Sequence, residues 1–270
     1  MERPRLVASD VDGTLLDPME RVTTRTLRAI RRVEASGTPF VLVSGRPPRW
    51  IPRVAAAAGV RGYAVCANGA VLYDIGADRV LTVRGLDPVL LHDVVGALDA
   101  ALPGCAVATE RVGDSALAGA ARQFLAEYAY QHPWQDGDHA AAPRAEVLGH
   151  RAVKLLIRHE GMNSEEMARA AAAVLDGQVH VTYSSGAGLL EVSAPGVTKA
   201  TGLAEVAELT RVDAADVAAF GDMPNDVPML RWAGHGVAVA NAHPEALAAA
   251  DEITAPNSED GVALVLERWF

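Results

Sequence analysis

The chain has 270 residues, of which 50% are hydrophobic and 21% charged, so it can bury a sizeable core and is long enough for two domains of ordinary size. Its formal net charge of −10 argues against nucleic acid or an anionic membrane as the main partner, because both require a basic surface. The first residues hold no apolar signal segment, and no uncharged apolar run is long enough to cross a membrane. We therefore expect a soluble cytoplasmic protein.

Two residue types are used sparingly. The only cysteines, Cys66 and Cys105, lie inside apolar runs, which favours buried thiols in a reducing cytosol over a disulfide. Of the 24 basic residues, only Lys154 and Lys199 are lysine. A lysine kept where arginine is the rule indicates a site that needs a compact ammonium group.

The N-terminal part of the chain alternates predicted strands and helices. Apolar runs at residues 5–8, 39–43 and 63–66 predict buried strands. Residues 23–36, with an apolar stripe, and 47–58, opened by two prolines, predict helices between them. Strands and helices alternating at this spacing indicate a parallel sheet with right-handed crossovers.

The pattern then changes to that of an α+β domain and later returns. The middle block contains predicted helices at 87–102 and 164–175 and predicted strands at 105–109, 151–158, 179–183 and 189–192, with a loop-rich region among them. Afterwards come predicted helices at 198–210, 226–232, from 244 and at 259–268, with strands at 217–220, 236–240 and 252–254. We predict an α/β fold: a Rossmann-like three-layer core with a parallel sheet (residues 1–83 and 194–270), plus an inserted α+β domain (84–193).

Polar side chains follow four of the predicted strands. These are Asp10 and Asp12, Ser44, Asn68, and the group Asp222, Asn225 and Asp226. A single polar strand end is ordinary turn chemistry. Because the carboxyl ends of parallel strands meet at one edge of a sheet, four such ends together predict one site. Lys199, at the start of a predicted helix, adds a cation to it.

The carboxylates of this predicted site favour a hard cation. Asp10 and Asp12 are two residues apart, and adjacent carboxylates repel unless a cation or a shared proton relieves them. Oxygen donors from these two residues and Asp222 suit Mg²⁺. The eight histidines are scattered and no Cys/His set has the spacing of a zinc site.

Four motifs together resemble the haloacid dehalogenase superfamily of phosphohydrolases. They are Asp-Val-Asp-Gly-Thr-Leu-Leu-Asp from residue 10, Ser44-Gly45-Arg46, Lys199, and Gly-Asp-Met-Pro-Asn-Asp from residue 221. Their order, and the insertion between the serine and lysine motifs, are similar to the Cof-type branch with a C2B cap. The motifs cover the core, whereas the cap is similar in position, size and pattern.

The resemblance implies a role for each motif residue. Asp10 is the nucleophile that forms an aspartyl-phosphate, Asp12 is the general acid and base, and Lys199 neutralises the phosphoryl oxygens. The implied phosphate-binding and metal-binding residues are Ser44, Gly45, Arg46, Asn68 and Asn225 for phosphate, and Asp10, Asp12, Asp222 and Asp226 for Mg²⁺.

The implied function is Mg²⁺-dependent hydrolysis of a small phosphorylated metabolite. Among such metabolites we expect a sugar phosphate ahead of a nucleotide, flavin or pyridoxal phosphate, and we expect a monomer or small homo-oligomer. A phosphotransferase or mutase on the same core stays open, because both chemistries need Asp10 and Asp12. A catalytically silent ligand-binding module is the other alternative. It is disfavoured because a binding module has no need of a nucleophile.

Several other polar residues carry two interpretations. Arg46 is either a phosphate ligand or a surface cap of the following helix, and Asn68 either serves the site or only shapes a turn. Asn241 is similar to a family position, but a structural role is favoured. Lys154 is expected at the surface. A loop with His132, Trp134 and His139 faces either substrate or, as we expect, solvent.

Overall fold

The computed structural model describes residues 3–116, 122–132 and 139–270, and two β-sheets organise them. The strands are β1 (Leu6–Asp10), β2 (Phe40–Val43), β3 (Tyr63–Cys66), β4 (Val71–Asp74), β5 (Arg79–Val83), β6 (Ala106–Glu110), β7 (Phe124–Ala126), β8 (Ala140–Ala141), β9 (Lys154–Arg158), β10 (His180–Thr182), β11 (Leu189–Ser193), β12 (Val217–Gly221), β13 (His235–Val239) and β14 (Glu252–Thr254). The α-helices are α1 (Thr24–Ala35), α2 (Ile51–Ala58), α3 (Pro88–Ala101), α4 (Arg144–Leu148), α5 (Ser164–Leu175), α6 (Lys199–Thr210), α7 (Val227–Trp232), α8 (Pro244–Ala249) and α9 (Gly261–Leu266).

The first sheet has the order β14-β13-β12-β1-β2-β3-β4-β5. Neighbours from β14 to β3 are parallel, and β3–β4 and β4–β5 are antiparallel. Strands β1, β2 and β12 are buried along their whole length because helices cover both faces. Val7 packs in a cluster with α1, α2 and α9, whereas Leu6 and Ala8 pack in another with α6 and α7. The predicted α/β fold with a three-layer core is confirmed.

The helices of this layer begin at capping residues that the sequence makes visible. The Thr23 side chain accepts a hydrogen bond from the Thr26 amide and starts α1. Thr198 and Thr201 form a capping box that starts α6, which places Lys199 in the first helical turn. These starts agree with the predicted ones to within a residue.

The hairpin of β4 and β5 was not predicted. Strand β5 is largely exposed, so it lacks the apolar run that marks a buried strand, and β4 follows β3 after only a short turn. The pair forms an antiparallel edge on the parallel sheet. Strands β7 and β8 and helix α4 were also missed, within the region expected to be loop-rich. Each is at most five residues long, too short to show a period.

The second sheet has the order β10-β11-β9-β6-β7-β8 and is antiparallel except between β7 and β8. Helices α3 and α5 pack on one of its faces. All of its strands lie within the segment predicted as an inserted domain, residues 84–193, which we call the insert; the remaining residues form the core. The predicted hairpin at 179–192 is present as β10 and β11.

Two expectations from composition can be compared with the fold. Cys66 and Cys105 are free thiols, as predicted, but only Cys66 is buried, whereas Cys105 is half-buried. Burial raises the pKa of the Cys105 thiol to about 11, which makes it a poor nucleophile at neutral pH. Of the helices in the described ranges, none is both long and apolar enough to cross a membrane.

Candidate active site

The centre of the candidate site is a buried lysine between two carboxylates. Asp10 is the last residue of β1, and Lys199 is the first residue of α6. The Lys199 ammonium donates hydrogen bonds to Asp10 Oδ1 at 2.5 Å and to Asp226 Oδ1 at 2.6 Å. All three side chains are buried, so these charge-assisted bonds are shielded from water. The structure thus brings together three residues that lie far apart in the chain.

Asp226 also shapes the loop that follows β12. Its Oδ2 accepts hydrogen bonds from the amides of Asp222 at 3.1 Å and Met223 at 3.0 Å. The Asp222 carboxylate in turn accepts one from the Thr14 hydroxyl at 3.0 Å. Gly13 (φ +79°) lies so close to Asp222 that a side chain at residue 13 would collide with that carboxylate. The turns after β1 and β12 therefore pack directly against each other and are joined by a hydrogen bond.

The cluster holds more negative than positive charge. Single oxygens of Asp10, Asp222 and Asp226 all lie within 4.8 Å of one another, and all three residues are buried. Burial raises the pKa of Asp10 well above its usual range against the effect of Lys199, and burial together with Asp226 raises the pKa of Asp222 to about 7. Burial would lower the pKa of Lys199, but the carboxylates of Asp10 and Asp226 outweigh burial and raise it, so the ammonium stays charged.

A divalent cation would relieve this excess charge. The donors are carboxylate oxygens, which Mg²⁺ prefers, and the Asn225 Oδ1 atom beside them is buried without a hydrogen-bond partner among the described residues. The chemistry of the donor set therefore fits Mg²⁺.

The turn after β2 supplies a second part of the site. Ser44 is fully buried, and its hydroxyl accepts a hydrogen bond from the Arg46 amide at 3.0 Å. The Arg46 guanidinium binds both oxygens of Asp12, at 2.8 and 2.5 Å, and is thus not the surface helix cap that was one of its interpretations. The Asp12 side chain is 53% exposed, in contrast to buried Asp10. The two carboxylates of the first motif therefore have different environments.

The turn after β3 connects these parts. Asn68 is buried in a left-handed conformation (φ +57°), and its amide donates to the Ser44 carbonyl at 3.1 Å. Its side-chain Oδ1 accepts from Asn225 Nδ2 at 3.2 Å, and its Nδ2 donates to Glu191 Oε2 at 2.7 Å. Asn68 thus does more than shape its own turn.

The sequence matches the haloacid dehalogenase-like hydrolases over residues 7–266, nearly the whole chain. It belongs to this family. It is a hydrolase of the phosphatase type and of the Cof-type branch, as the four motifs predicted.

Two known relatives cover nearly the full length of this haloacid dehalogenase-like hydrolase. It is 28% identical to the 5-amino-6-(5-phospho-D-ribitylamino)uracil phosphatase YcsE of Bacillus subtilis, over 98% of this chain and 95% of the relative. It is 27% identical to the phosphoglycolate phosphatase of Methanoculleus marisnigri, over 98% and 97%. The solved structure of the subclass IIB sugar phosphatase BT4131 superposes with a TM-score of 0.82 at 20% identity, over 98% of each chain, which confirms the fold.

The insert of this hydrolase brings a second buried ion pair to the site. Lys154 was predicted at the surface, which is wrong: it is 5% exposed, and its ammonium donates to Glu191 Oε2 and to the Gly45 carbonyl, both at 2.6 Å. Glu191 was not among the residues predicted for the site. A charged residue within the apolar run of β11 was the available signal, because a lone charge in a buried strand requires a partner.

A further ion pair joins the core to the insert. Arg49, just before α2, pairs with Glu110 at the end of β6, and the guanidinium reaches both carboxylate oxygens. The two side chains are 4% and 5% exposed. Neither residue was singled out in the sequence, since charged residues at element ends are usually solvated.

The remaining candidates have structural contacts. Asn241 donates to the Gly13 carbonyl at 2.9 Å and accepts from the Asn257 amide, which agrees with the structural role expected for it. His132 packs edge-on against Phe124 and stacks on the exposed His139, with ring centroids 4.6 Å apart. Trp134 lies outside the described residues.

Proposed function

We propose that this protein is a Mg²⁺-dependent phosphomonoester hydrolase that acts on a small phosphorylated metabolite through an aspartyl-phosphate intermediate. Sugar phosphates are the substrate class that we favour. The observation that carries the proposal is the contact of the Asp10 carboxylate with the buried Lys199 ammonium, beside Asp222 and Asp226. An ionised carboxylate can attack phosphorus without losing a proton. The contact with Lys199 favours the ionised form of Asp10 against burial, and a bound Mg²⁺ would favour it further.

In the first step, Asp10 forms a bond to phosphorus as the bond to the leaving oxygen breaks. The Lys199 ammonium stabilises the charge on the phosphoryl oxygens, and the buried Ser44 turn, with the backbone of Gly45, provides hydrogen bonds. Asn68 and Asn225 hold each other at the end of the neighbouring strands and support this turn. Arg46 contributes a fixed positive charge beside them.

The proton transfers are assigned to Asp12, whose carboxylate must leave its pair with Arg46 to take up and deliver a proton. It donates a proton to the leaving alcohol in the first step, and in the second it accepts one from the water that attacks the phosphorus of the aspartyl-phosphate. The water oxygen becomes part of inorganic phosphate, and Asp10 is restored. The contrast between buried Asp10 and half-exposed Asp12 supports this division, because the acid must reach the leaving group.

Asp10, Asp222 and the carbonyl of Asp12 would hold Mg²⁺. When bound, the ion neutralises charge on the phosphoryl group and on the carboxylates. Asp226, whose oxygens accept three hydrogen bonds, supports the ligands by holding Lys199 and the loop after β12. The insert acts as a cap over this site and selects the leaving group.

The names of the relatives support the proposed substrate class. The names of the two curated relatives and of BT4131 describe phosphatases of small phosphorylated metabolites, one of them a sugar phosphatase.

The proposal is tested with p-nitrophenyl phosphate and a panel of sugar phosphates in the presence of Mg²⁺. We expect release of inorganic phosphate, and we expect Asp10→Asn to reduce kcat by at least about a thousandfold. Asp12→Asn should slow hydrolysis of the aspartyl-phosphate, so that phosphorylated protein accumulates and is detected by mass spectrometry. Turnover of wild-type size in Asp10→Asn would contradict the covalent mechanism, and insensitivity to EDTA would contradict the metal.

A further inference from the structure

The β-sheet of the insert has one face turned toward the core, and this face bears two charged residues. Along β11, Leu190 and Val192 pack in the hydrophobic core of the insert with α3 and α5, so Glu191 between them lies on the opposite face. Lys154 of β9 lies on that face too, because Leu155 and Ile157 pack in the same hydrophobic core.

These two side chains contact the turns of the core that hold the candidate site. The Lys154 ammonium reaches the Gly45 carbonyl, and Glu191 accepts from Asn68 Nδ2. Their side chains are 7% and 2% exposed, so both contacts are sealed from water. Each bond joins a charged group of the insert to a residue next to, or bonded to, Ser44.

The approach of the insert to Gly45 is tight. A Cβ atom at residue 45 would lie 3.1 Å from Asn68 Oδ1 and 3.4 Å from Glu191 Oε2, closer than ordinary contact to the first of them. Asn68 connects Glu191 to the core, since it also binds the Ser44 carbonyl and Asn225. Lys154 and Glu191 are therefore connected by hydrogen bonds to the turns after both β2 and β3.

We propose that Lys154 and Glu191 are positioning residues, which hold the Ser44–Gly45 turn and Asn68 in their phosphate-binding geometry when the insert is docked on the core. The inference rests on the proposed function and deepens it, because it makes phosphate binding by the core depend on two residues of the insert. Neither residue touches the reacting atoms; both act through the turns.

The charge state of the pair agrees with a positioning role. Burial would raise the pKa of Glu191, but Lys154 and hydrogen bonds from Ser184 and Asn68 outweigh burial and lower it. The carboxylate accepts all three hydrogen bonds while ionised. It has no proton to donate, and its bonding capacity is used to hold neighbours in place.

The test compares Lys154→Met with the wild type in kcat/KM and in the inhibition constant of orthovanadate, which occupies the phosphoryl position. If the turns are held by Lys154, both quantities worsen together by about 10- to 100-fold. The factor should be the same for p-nitrophenyl phosphate and for acetyl phosphate, because the phosphoryl group is common to both. A loss confined to the larger substrate would instead indicate leaving-group recognition and overturn the inference.

The double variant Lys154→Met/Glu191→Gln keeps the test informative if the single variant folds poorly. Removing both charges leaves no unpaired buried charge, so we expect a thermal midpoint near that of the wild type. Orthovanadate should still bind about tenfold more weakly. Wild-type orthovanadate affinity in the folded double variant would show that the pair is only structural, which overturns the inference while leaving the proposed function intact.

Arg144→Met is the matched control, since Arg144 pairs with Glu127 and Asp99 within the insert. It should leave kcat/KM and the orthovanadate constant unchanged; a loss equal to that of Lys154→Met would overturn the inference, since any damage to the insert would then suffice. If the wild type neither hydrolyses phosphomonoesters nor binds orthovanadate, the proposed function fails and this inference with it.

Discussion

The two lysines of the chain each lie in a buried charge cluster, and the clusters differ in their charge balance. Lys199 of the core lies among three carboxylates, Asp10, Asp222 and Asp226. Lys154 of the insert faces the single carboxylate of Glu191. In the first cluster the pKa values of two carboxyl groups are raised, and in the second the pKa of the carboxyl group is lowered.

This difference separates two uses of the same residue types. A balanced pair can stay ionised when buried, and its hydrogen bonds fix the backbone around it. An unbalanced cluster of buried carboxylates suits a bound cation, which we propose to be Mg²⁺ in the core cluster. This contrast agrees with our proposals that the core cluster carries out the chemistry and that the insert cluster holds the turns of the core in position.

The same substitution in both clusters gives the largest contrast. Lys199→Met leaves Asp10 and Asp226 buried without their cation, so we expect a loss of roughly 3–5 kcal/mol in the free energy of unfolding. We also expect a fall in kcat of about 10²–10³-fold, because the group that stabilises the phosphoryl oxygens is gone. Urea denaturation and steady-state kinetics measure the two effects. A smaller loss of kcat than in Lys154→Met would reverse the assignment of the clusters.

Mg²⁺ should stabilise only the core cluster. At a concentration about a hundred times its dissociation constant, a ligand that binds the folded state adds about 2.7 kcal/mol to the free energy of unfolding. We expect Mg²⁺ to raise the thermal midpoint of the wild type and of Lys154→Met/Glu191→Gln, but not of Asp222→Asn. The comparison fails if Asp222→Asn keeps the full increase, measured by calorimetry with and without EDTA.

The stability of the metal-free protein should depend on pH with opposite signs in the two clusters. Asp222, whose ordinary pKa is 3.8, has a pKa of about 7 in the folded protein, so its protonated form stabilises the fold. That contribution is complete below about pH 4 and is lost as the pH rises to about 7. Glu191, with a lowered pKa, contributes above its ordinary value of 4.5, and this is lost as the pH falls.

Thermal unfolding in EDTA across this range measures the net effect. We expect the midpoint of the wild type to fall between about pH 4 and 7. The fall should be smaller in Asp222→Asn, in which, of the two carboxyl groups with raised pKa values in the core cluster, only that of Asp10 remains. The Glu191→Gln variant should show the same fall of the thermal midpoint as the wild type. A midpoint that rises through this range in wild type and Asp222→Asn alike would contradict the raised pKa of Asp222.

The smallest expected effect tests how tightly the core cluster is packed. Gly13 and Gly37 both have positive φ, at +79° and +82°, but a Cβ at Gly37 meets nothing within 4 Å, whereas at Gly13 it collides with Asp222. Gly37→Ala should cost about 1–2 kcal/mol for the left-handed backbone and keep full activity. Gly13→Ala should cost at least about 1 kcal/mol more and reduce kcat. Equal losses in denaturant titrations would show that Asp222 can move aside.

Much of the core could be predicted from the sequence because its signals are local. Buried parallel strands appear as continuous apolar runs, and the helices begin at capping residues such as Thr23 and Thr198. The four motifs lie at the ends of these elements, so parallel topology alone predicts that they meet. The edge hairpin β4–β5 was missed because an exposed edge strand carries little hydrophobic pattern.

The sequence by itself determined the family, the α/β core and the set of residues around Asp10 and Lys199. Only the tertiary structure decided which charges are buried together: that Arg46 pairs with Asp12, that Asn68 links core to insert, and that Lys154 is buried against Glu191. The reason is physical. A charged residue in a strand has the same local sequence whether its face meets water or another domain, and the docking of the insert settles which it is.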